Sequence, residues 1–211
     1  MERKKYWMIG ILNYGMGNLL SVKNSLDYLG ESSEICDNYK DLDKYNKIII
    51  PGVGSFPDCI NNIKKMNFLD SLNTKALDEK IPILGICLGM QIMASVGYEM
   101  NETAGLGWFN AKVDKIKVSD PSIKIPNIGW ETIHYNKDNI LMKNLPNEPD
   151  FYFVHSYYMD CEDKDEVTSW YDLGGKKITA SIQKENIFGT QFHPEKSSDI
   201  GREVIINFLN L

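Results

Sequence analysis

The chain has 211 residues, a formal net charge of −6 at pH 7, a hydrophobic content of 43% and a charged content of 25%. These proportions are typical of a folded globular protein and exclude a largely disordered chain. The acidic balance argues against a nucleic-acid-binding protein, which usually carries a basic face. The length suits one domain, and we expect a single domain over residues 1–211.

The amino terminus predicts a cytoplasmic protein. The basic start, Met1 to Lys5, precedes an apolar run that Asn13 interrupts. This run is too short for a signal peptide and has no small-residue cleavage site. No segment approaches the roughly 20 apolar residues that span a bilayer, so we expect no membrane contact.

The cysteines and histidines predict neither a disulfide framework nor a zinc site. The chain has four scattered cysteines, no C-x-x-C pair and three histidines. Most of the thiols are expected to be small buried apolar side chains. The four are Cys36, Cys59, Cys87 and Cys161.

In chain order, the first half alternates strand and helix patterns. Short apolar runs that end at turn residues predict strands at residues 6–12, 33–36, 47–50 and 81–86. Apolar residues at helical spacing predict helices within residues 19–29, 60–77 and 88–96. The alternation predicts an α/β fold with a mostly parallel central sheet and helices on both faces.

The second half consists of short strand patterns separated by turns. They cover residues 111–118, 125–135, 151–159, 167–171, 178–183 and 187–192, and a helix pattern follows at residues 200–211. Closely spaced strands without intervening helices predict an antiparallel extension of the same sheet.

The segment Gly85-Ile86-Cys87-Leu88-Gly89 follows a predicted strand and begins a predicted helix. This is the pattern of a nucleophile elbow, a sharp turn at which glycines leave room beside the nucleophile. The helix start favours a thiolate at Cys87, and the N–H group of Leu88 is an oxyanion donor candidate. The alternative for this segment alone, which we favour less, is a tight turn around a buried cysteine.

A cysteine nucleophile needs a base, and the chain offers His134, His155 and His193. His193 follows the last predicted strand, and Glu195 stands two residues on, close enough to orient the ring. Strand ends at one edge of a parallel sheet are where active sites collect in this fold class. His193 is therefore the favoured base, although His155, at another strand end, could also line a site.

The segment Pro51-Gly52-Val53-Gly54 also follows a predicted strand. It lacks the lysine of a phosphate-binding loop, so a second oxyanion donor or an ordinary turn is the better interpretation.

Taken together, these motifs resemble those of class I glutamine amidotransferases in order and spacing. The three segments that carry the resemblance are residues 51–54, 85–91 and 191–195. Further segments resemble the glutaminase subunits of imidazole glycerol phosphate synthases, and they are residues 13–18, 105–107, 126–130, 152–158 and 196–198. The resemblance runs end to end and implies the flavodoxin-like fold of that family.

The resemblance implies that Cys87 attacks the glutamine amide, that His193 transfers protons and that Glu195 orients His193. It implies no metal and no organic cofactor. By the same resemblance the oxyanion and the glutamine are held by Gly52, Gly54, Leu88, Gln91, Ser156 and Tyr157.

The resemblance also implies a partner, a (βα)8-barrel synthase subunit that receives the ammonia within a heterodimer. The residues expected at that interface are Asn13, Asn18, Trp130, Glu131 and Lys196. Glu131 departs from the family, which usually has asparagine after Gly-Trp. This departure keeps open a paralogous role, the supply of ammonia for amidination of a bacterial surface sugar. A stand-alone cysteine peptidase or γ-glutamyl hydrolase and a catalytically inactive binding subunit are further alternatives.

Overall fold

A computed structural model describes residues 8–211 of the chain. The basic start at residues 1–5 and the first two residues of the strand predicted at 6–12 lie outside the described residues. Within the described range, no helix is both long enough and apolar enough to cross a bilayer.

The strands and helices follow the predicted alternation in the first half of the chain. In chain order they are β1 Ile9–Leu12, α1 Leu19–Tyr28, β2 Ser33–Cys36, β3 Lys47–Gly52, α2 Phe56–Lys65, α3 Phe68–Asn73, β4 Ile83–Cys87, α4 Leu88–Gln91, β5 Ala94–Gly97, β6 Thr103–Ala104, β7 Phe109–Lys115, β8 Asn127–Thr132, β9 His134–Tyr135, β10 Asp150–His155, β11 Tyr157–Cys161, β12 Val167–Leu173, β13 Lys176–Lys184, β14 Ile187–Thr190 and α5 Ser198–Leu209.

The central sheet has eight strands in the order β2-β1-β3-β4-β14-β13-β12-β9. Its first five strands run parallel, and the last three continue it in antiparallel fashion. The parallel part has the 2-1-3-4-5 order of flavodoxin-like folds. The predicted α/β class, with a mostly parallel sheet and an antiparallel extension, is confirmed.

Part of the second half does not extend the central sheet, contrary to the prediction. Strands β8 and β10 form a two-stranded sheet, and β11, β7, β5 and β6 form a four-stranded one. Hydrophobic patterning marks these segments as strands, but it does not select the partner of each strand, because pairing is decided by long-range contacts.

Two helix predictions also differ from the structure. The helix predicted over residues 88–96 ends at Gln91, because Ala94 and Val96 pair with β7 instead. The helix predicted over residues 60–77 is broken at Asn67, whose φ of 59° is left-handed. Helix and strand propensities of short apolar runs overlap, and tertiary pairing decides between them.

The two faces of the central sheet each pack against helices. Alternate side chains of β3 face opposite sides, so Ile48 and Ile50 join one core while Ile49 joins the other. Helices α2 and α3 cover the first face, and α1 and α5 cover the second. The carboxyl ends of β3, β4 and β14 therefore meet at one edge, which carries the motifs described above.

Candidate active site

Cys87 stands at the junction of β4 and α4 with φ 56° and ψ −110°. A positive φ is costly for a residue with a Cβ atom and persists only where the surroundings enforce it. The glycines on either side of Cys87 allow the close packing that enforces this turn. A Cβ atom on Gly89 would lie 1.8 Å from the Ile50 carbonyl oxygen, and one on Gly85 would lie 2.6 Å from the Gly89 carbonyl oxygen. The helix that follows is only four residues long, so its dipole at Cys87 is small.

His193 and Glu195 form a buried pair beside this cysteine. Nδ1 of His193 lies 2.8 Å from Oε1 of Glu195, and both side chains are 2% exposed. The other ring nitrogen, Nε2, has no hydrogen-bond partner among the described residues. Cys87 and His193 line the same cavity, which has a volume of about 300 Å³.

The charge state of His193 is set by these neighbours. Burial lowers the pKa of His193, but Cys87 and Glu195 together outweigh burial and raise this pKa to about 9. The ring therefore holds its proton at neutral pH, next to the sulfur. An imidazolium beside a cysteine is the arrangement that activates a thiol nucleophile.

The other two histidines are placed differently. His134 is exposed on β9 and lies 3.4 Å from the Glu148 carboxylate. His155 lines the cavity, but burial lowers its pKa to about 4 and both of its ring nitrogens are engaged elsewhere. Of the three candidate bases, His193 alone combines a free nitrogen with a position beside Cys87.

The glycine-rich loop after β3 packs directly on the elbow. Gly52 pairs with Cys87 in the sheet, and a Cβ atom on Gly52 would lie 2.6 Å from the backbone nitrogen of Gly89. Gly54 has φ +111° and lines the cavity together with Val53 and Leu88. The glycines of this loop thus let its backbone pack against the elbow that carries Cys87.

The opposite wall of the cavity is built from Gln91, Ser156 and Tyr157. Nε2 of Gln91 donates to the Tyr157 carbonyl oxygen at 2.9 Å and to Oε1 of Gln191 at 2.9 Å. Nε2 of Gln191 in turn faces the Cys87 sulfur at 3.6 Å. Five of the six residues that the resemblance assigned to glutamine and the oxyanion therefore line the cavity, and the sixth, Gly52, packs against the elbow.

Two residues of the site were missed in the sequence. Gln191 lies within a recognised motif, but its contact with the sulfur follows only from the side-by-side placement of β14 and β4. Glu99 lines the cavity and accepts a hydrogen bond from the Phe56 backbone at 2.7 Å. Nothing in the local sequence around Glu99 marks it, because it reaches the cavity from the irregular segment after β5.

The residues assigned to a partner interface differ in exposure and in contacts. Trp130 is 53% exposed and its ring contacts Tyr152 edge-on, with 6.1 Å between centroids. Lys196 is exposed, and its Nζ lies 5.9 Å from the Tyr152 ring centroid. The side chains of Asn13 and Asn18 form hydrogen bonds within the chain, since Asn13 donates to Asp37 and Asn18 caps α1. Glu131 is half-buried beside Asn127.

The described part of the chain contains no candidate metal site. Between residues 8 and 211, no three His, Cys, Asp or Glu side chains are grouped as metal ligands. All four cysteines are unpaired and buried.

Comparisons with known proteins agree with this geometry. The family model described as "Glutamine amidotransferase class-I" matches residues 11–210. The chain is 46% identical to "Imidazole glycerol phosphate synthase subunit HisH" of Leptospira borgpetersenii, covering 97% of this chain and 100% of that one. It is 43% identical to "Imidazole glycerol phosphate synthase subunit HisH 1" of Campylobacter jejuni (strain RM1221), covering 97% and 100%.

A solved structure has the same fold at lower sequence identity. The structure of PurLQS from Thermotoga maritima superposes with a TM-score of 0.74 and 20% identity, covering 97% of this chain and 98% of that one. The resemblance identified from the sequence motifs is thus confirmed at the level of the family and the fold. The chain belongs to the class I glutamine amidotransferase family, in the group of the HisH subunits.

Proposed function

We propose that this chain is the glutaminase subunit of an imidazole glycerol phosphate synthase in histidine biosynthesis, with Cys87, His193 and Glu195 as its catalytic residues. The observation that carries the assignment of these residues is one cavity that a strained cysteine and a histidine both line. Nδ1 of this histidine contacts a buried glutamate, and its Nε2 has no partner among the described residues. The family supplies the reaction class, and the cavity supplies the groups that the reaction needs.

The reaction follows from these groups. The Cys87 sulfur attacks the side-chain amide carbon of glutamine, and the oxyanion that forms is stabilised by the N–H group of Leu88 and the backbone at Gly52–Gly54. His193 then gives its Nε2 proton to the nitrogen as the C–N bond breaks, which releases ammonia and leaves a thioester. Water gives a proton to His193 and attacks the thioester, so glutamate leaves and the sulfur is regenerated.

Glutamine recognition uses the rest of the cavity. Glu99 brings a carboxylate to the lining, and we assign it to the α-ammonium group of the substrate because opposite charges pair in such sites. Gln91, Ser156 and Tyr157 form the wall along the substrate. We assign to Gln191 the role of positioning the Cys87 sulfur, because its side-chain amide faces that atom.

A partner subunit must receive the ammonia, and we propose a (βα)8-barrel synthase subunit in a heterodimer. Support comes from an exposed apolar face next to the cavity: Ile128 is 62% exposed and Trp130 is 53% exposed on β8. Large exposed apolar side chains of this kind mark interaction sites. Lys196, directly after the catalytic Glu195, supplies a positive charge to the same face.

The chain is proposed to act as one cytoplasmic domain. The strand β14, near the carboxyl terminus, pairs with β4 from the first half and with β13 from the second. Neither half could complete the central sheet without the other, which favours a single folding unit.

The test is a glutaminase assay on the chain mixed with the histidine-pathway barrel subunit of the same organism, with and without that subunit's ribonucleotide substrate. We expect ammonia release that the ribonucleotide stimulates and that Cys87→Ala abolishes. Ammonia release of equal rate in Cys87→Ala would show that the proposed nucleophile is wrong.

A second acceptor pathway, amidination of a bacterial surface sugar, is favoured by one observation. Glu131 places a carboxylate, half-buried beside the exposed Trp130, where the family usually has a neutral asparagine. This carboxylate lies directly behind the exposed Trp130, and a changed charge so close to the proposed interface would suit a different barrel subunit. No glutaminase activity with the histidine-pathway barrel, combined with activity alongside a barrel encoded near sugar-modifying enzymes, would select this alternative.

A further inference from the structure

A line of buried polar side chains connects β8 with the glutamine-binding wall. Nδ2 of Asn127 donates to the Tyr171 hydroxyl at 3.0 Å, and this hydroxyl lies 2.9 Å from Nε2 of His155. Nδ1 of His155 lies 2.7 Å from the carbonyl oxygen of Tyr157. Asn127, His155 and Tyr171 are all buried, so water does not readily replace any of these hydrogen bonds.

The directions of these hydrogen bonds are fixed by what each atom can do. The Tyr157 carbonyl oxygen only accepts, so Nδ1 of His155 carries a proton. Burial lowers the pKa of His155 to about 4, so the ring is neutral and Nε2 is an acceptor. The Tyr171 hydroxyl must then donate to Nε2, and its oxygen accepts from the Asn127 amide, which is the only arrangement that satisfies every atom.

The outer end of this line lies at the unusual residue of the partner-facing strand. The Asn127 side chain also interacts with the Glu131 carboxylate, whose pKa burial raises and Asn127 lowers. Asn127, Gly129 and Glu131 share the inner face of β8, whereas Ile128 and Trp130 point outward. The line therefore starts behind the proposed interface and ends at Tyr157, which lines the cavity.

We propose that His155 is a positioning residue, held as the neutral Nδ1–H tautomer by Tyr171 and Asn127, which fixes the glutamine-binding wall through the Tyr157 carbonyl. This inference rests on the proposed glutaminase function. It assigns His155 no proton transfer, although His155 lines the same cavity as Cys87.

The geometry at Tyr157 gives the reason. Its carbonyl oxygen accepts from both Nδ1 of His155 and Nε2 of Gln91, and all three residues line the same cavity. These two donors fix the peptide group between Tyr157 and Tyr158, at the start of β11. With the other tautomer, the lone pair of Nδ1 would oppose the carbonyl oxygen, and the wall would move away from the substrate.

The test compares two replacements of His155 in the chain bound to its barrel subunit. In His155→Asn, the side-chain amide can donate to Tyr157 as Nδ1–H does, whereas His155→Leu removes the donor. We measure alkylation of Cys87 by the glutamine-shaped reagent 6-diazo-5-oxo-L-norleucine and by iodoacetamide, which needs no glutamine site. We expect His155→Leu to lose roughly tenfold in the ratio of the two rates, and His155→Asn to keep it within about threefold.

A second pair of variants tests the link through Tyr171. Tyr171→Phe removes the hydroxyl that fixes His155, and we expect the same ratio to fall roughly fivefold. Tyr135→Phe is the control, because it also removes a hydrogen-bonded tyrosine hydroxyl. The hydroxyl of Tyr135 donates to the main-chain oxygens of Leu145 and Pro146, and Tyr135 does not line the cavity. An equal effect of both variants would reduce the role of Tyr171 to general stability and overturn the inference.

Nitrogen NMR of His155 gives a readout that does not depend on activity. We expect a protonated Nδ1 and an unprotonated Nε2 across pH 6 to 8, with a change of the Nε2 shift in Tyr171→Phe. A protonated Nε2, or equal behaviour of His155→Asn and His155→Leu, would overturn the proposal. Failure of the glutaminase function itself would look different, because wild-type Cys87 would then show no preference for the glutamine-shaped reagent.

Discussion

The hydroxyl of Tyr14 donates to the carbonyl oxygen of Pro51 at 2.6 Å, in the fully buried interior beside the nucleophile elbow. Tyr14 lies in the loop before α1, and Pro51 directly precedes the proposed oxyanion loop. A Cβ atom on Gly52 would lie 2.8 Å from the same hydroxyl. The hydrogen bond thus connects the loop that carries Asn13 and Asn18 to the proposed oxyanion loop, Gly52–Gly54.

This contact predicts a defined cost for Tyr14→Phe. The variant leaves the Pro51 carbonyl oxygen buried without its donor, which costs about 1–3 kcal/mol of the free energy of unfolding. We expect glutamine turnover to fall as well, because the oxyanion loop loses its anchor. Urea unfolding and the glutaminase assay measure the two effects. A fall in stability with unchanged turnover would show that the anchor does not act on the oxyanion loop.

Replacement of Cys87 is predicted to separate glutamine hydrolysis in this chain from synthesis in the partner subunit. We expect Cys87→Ser and Cys87→Ala to lose glutamine-dependent synthesis by at least about 10³-fold, because no other described side chain stands in the nucleophile position. Synthesis by the partner subunit from free ammonium salts should be unchanged in the same complexes. The loss of both activities together would place Cys87 in complex formation instead.

The pKa of His193 predicts a pH dependence with a definite sign. A pKa raised to about 9 means that the ring keeps its proton as the pH passes 7 and releases it only near pH 9. Because Cys87 is one of the groups that raise this pKa, Cys87→Ala should lower the pKa. An NMR titration of the His193 ring in both proteins measures this. An identical pKa in the two proteins would mean that the sulfur does not interact with the ring.

Gly89 is predicted to be the least replaceable glycine of the elbow. In Gly89→Ala, the new methyl group would lie 1.8 Å from the Ile50 carbonyl oxygen, so β3 and α4 must separate. We expect destabilisation by about 3 kcal/mol or more. Gly30→Ala is the control, since Gly30 has φ +77° with nothing within 4 Å, and only backbone strain of about 1 kcal/mol remains. Equal costs in thermal unfolding would contradict the steric role.

Trp130 is predicted to contribute to partner binding without contributing to folding. It is 53% exposed in the isolated chain, so Trp130→Ala should leave the unfolding transition nearly unchanged. If β8 forms the proposed interface, the same variant should weaken binding to the barrel subunit by about 2 kcal/mol or more, as aromatic interface residues do. Titration calorimetry gives the affinity. Tyr28→Ala, at an aromatic residue on α1 that is 73% exposed, is the control.

The sequence alone determined the fold class and the identity of the chemical motifs. The elbow around Cys87 and the His193-Pro194-Glu195 segment are local patterns, since each depends on backbone geometry or side-chain reach within a few residues. The alternation of strands and helices in the first half is also local, because the hydrophobic period changes along the chain. The assignment of Gln91, Ser156 and Tyr157 came from resemblance, and their roles stay predictions.

Tertiary structure alone decided which strands share a sheet and which polar groups meet. The separate β8–β10 sheet, the placement of Gln191 beside the sulfur and the position of Glu99 on the cavity all depend on contacts between residues far apart in the chain. The roles of the histidines were decided in the same way. His155 is the last residue of β10 and His193 follows β14, so their sequence positions look alike. Burial keeps His155 neutral, whereas a carboxylate and a sulfur keep His193 charged. A side chain's electrostatic environment is assembled from several distant segments, so a linear pattern cannot specify it.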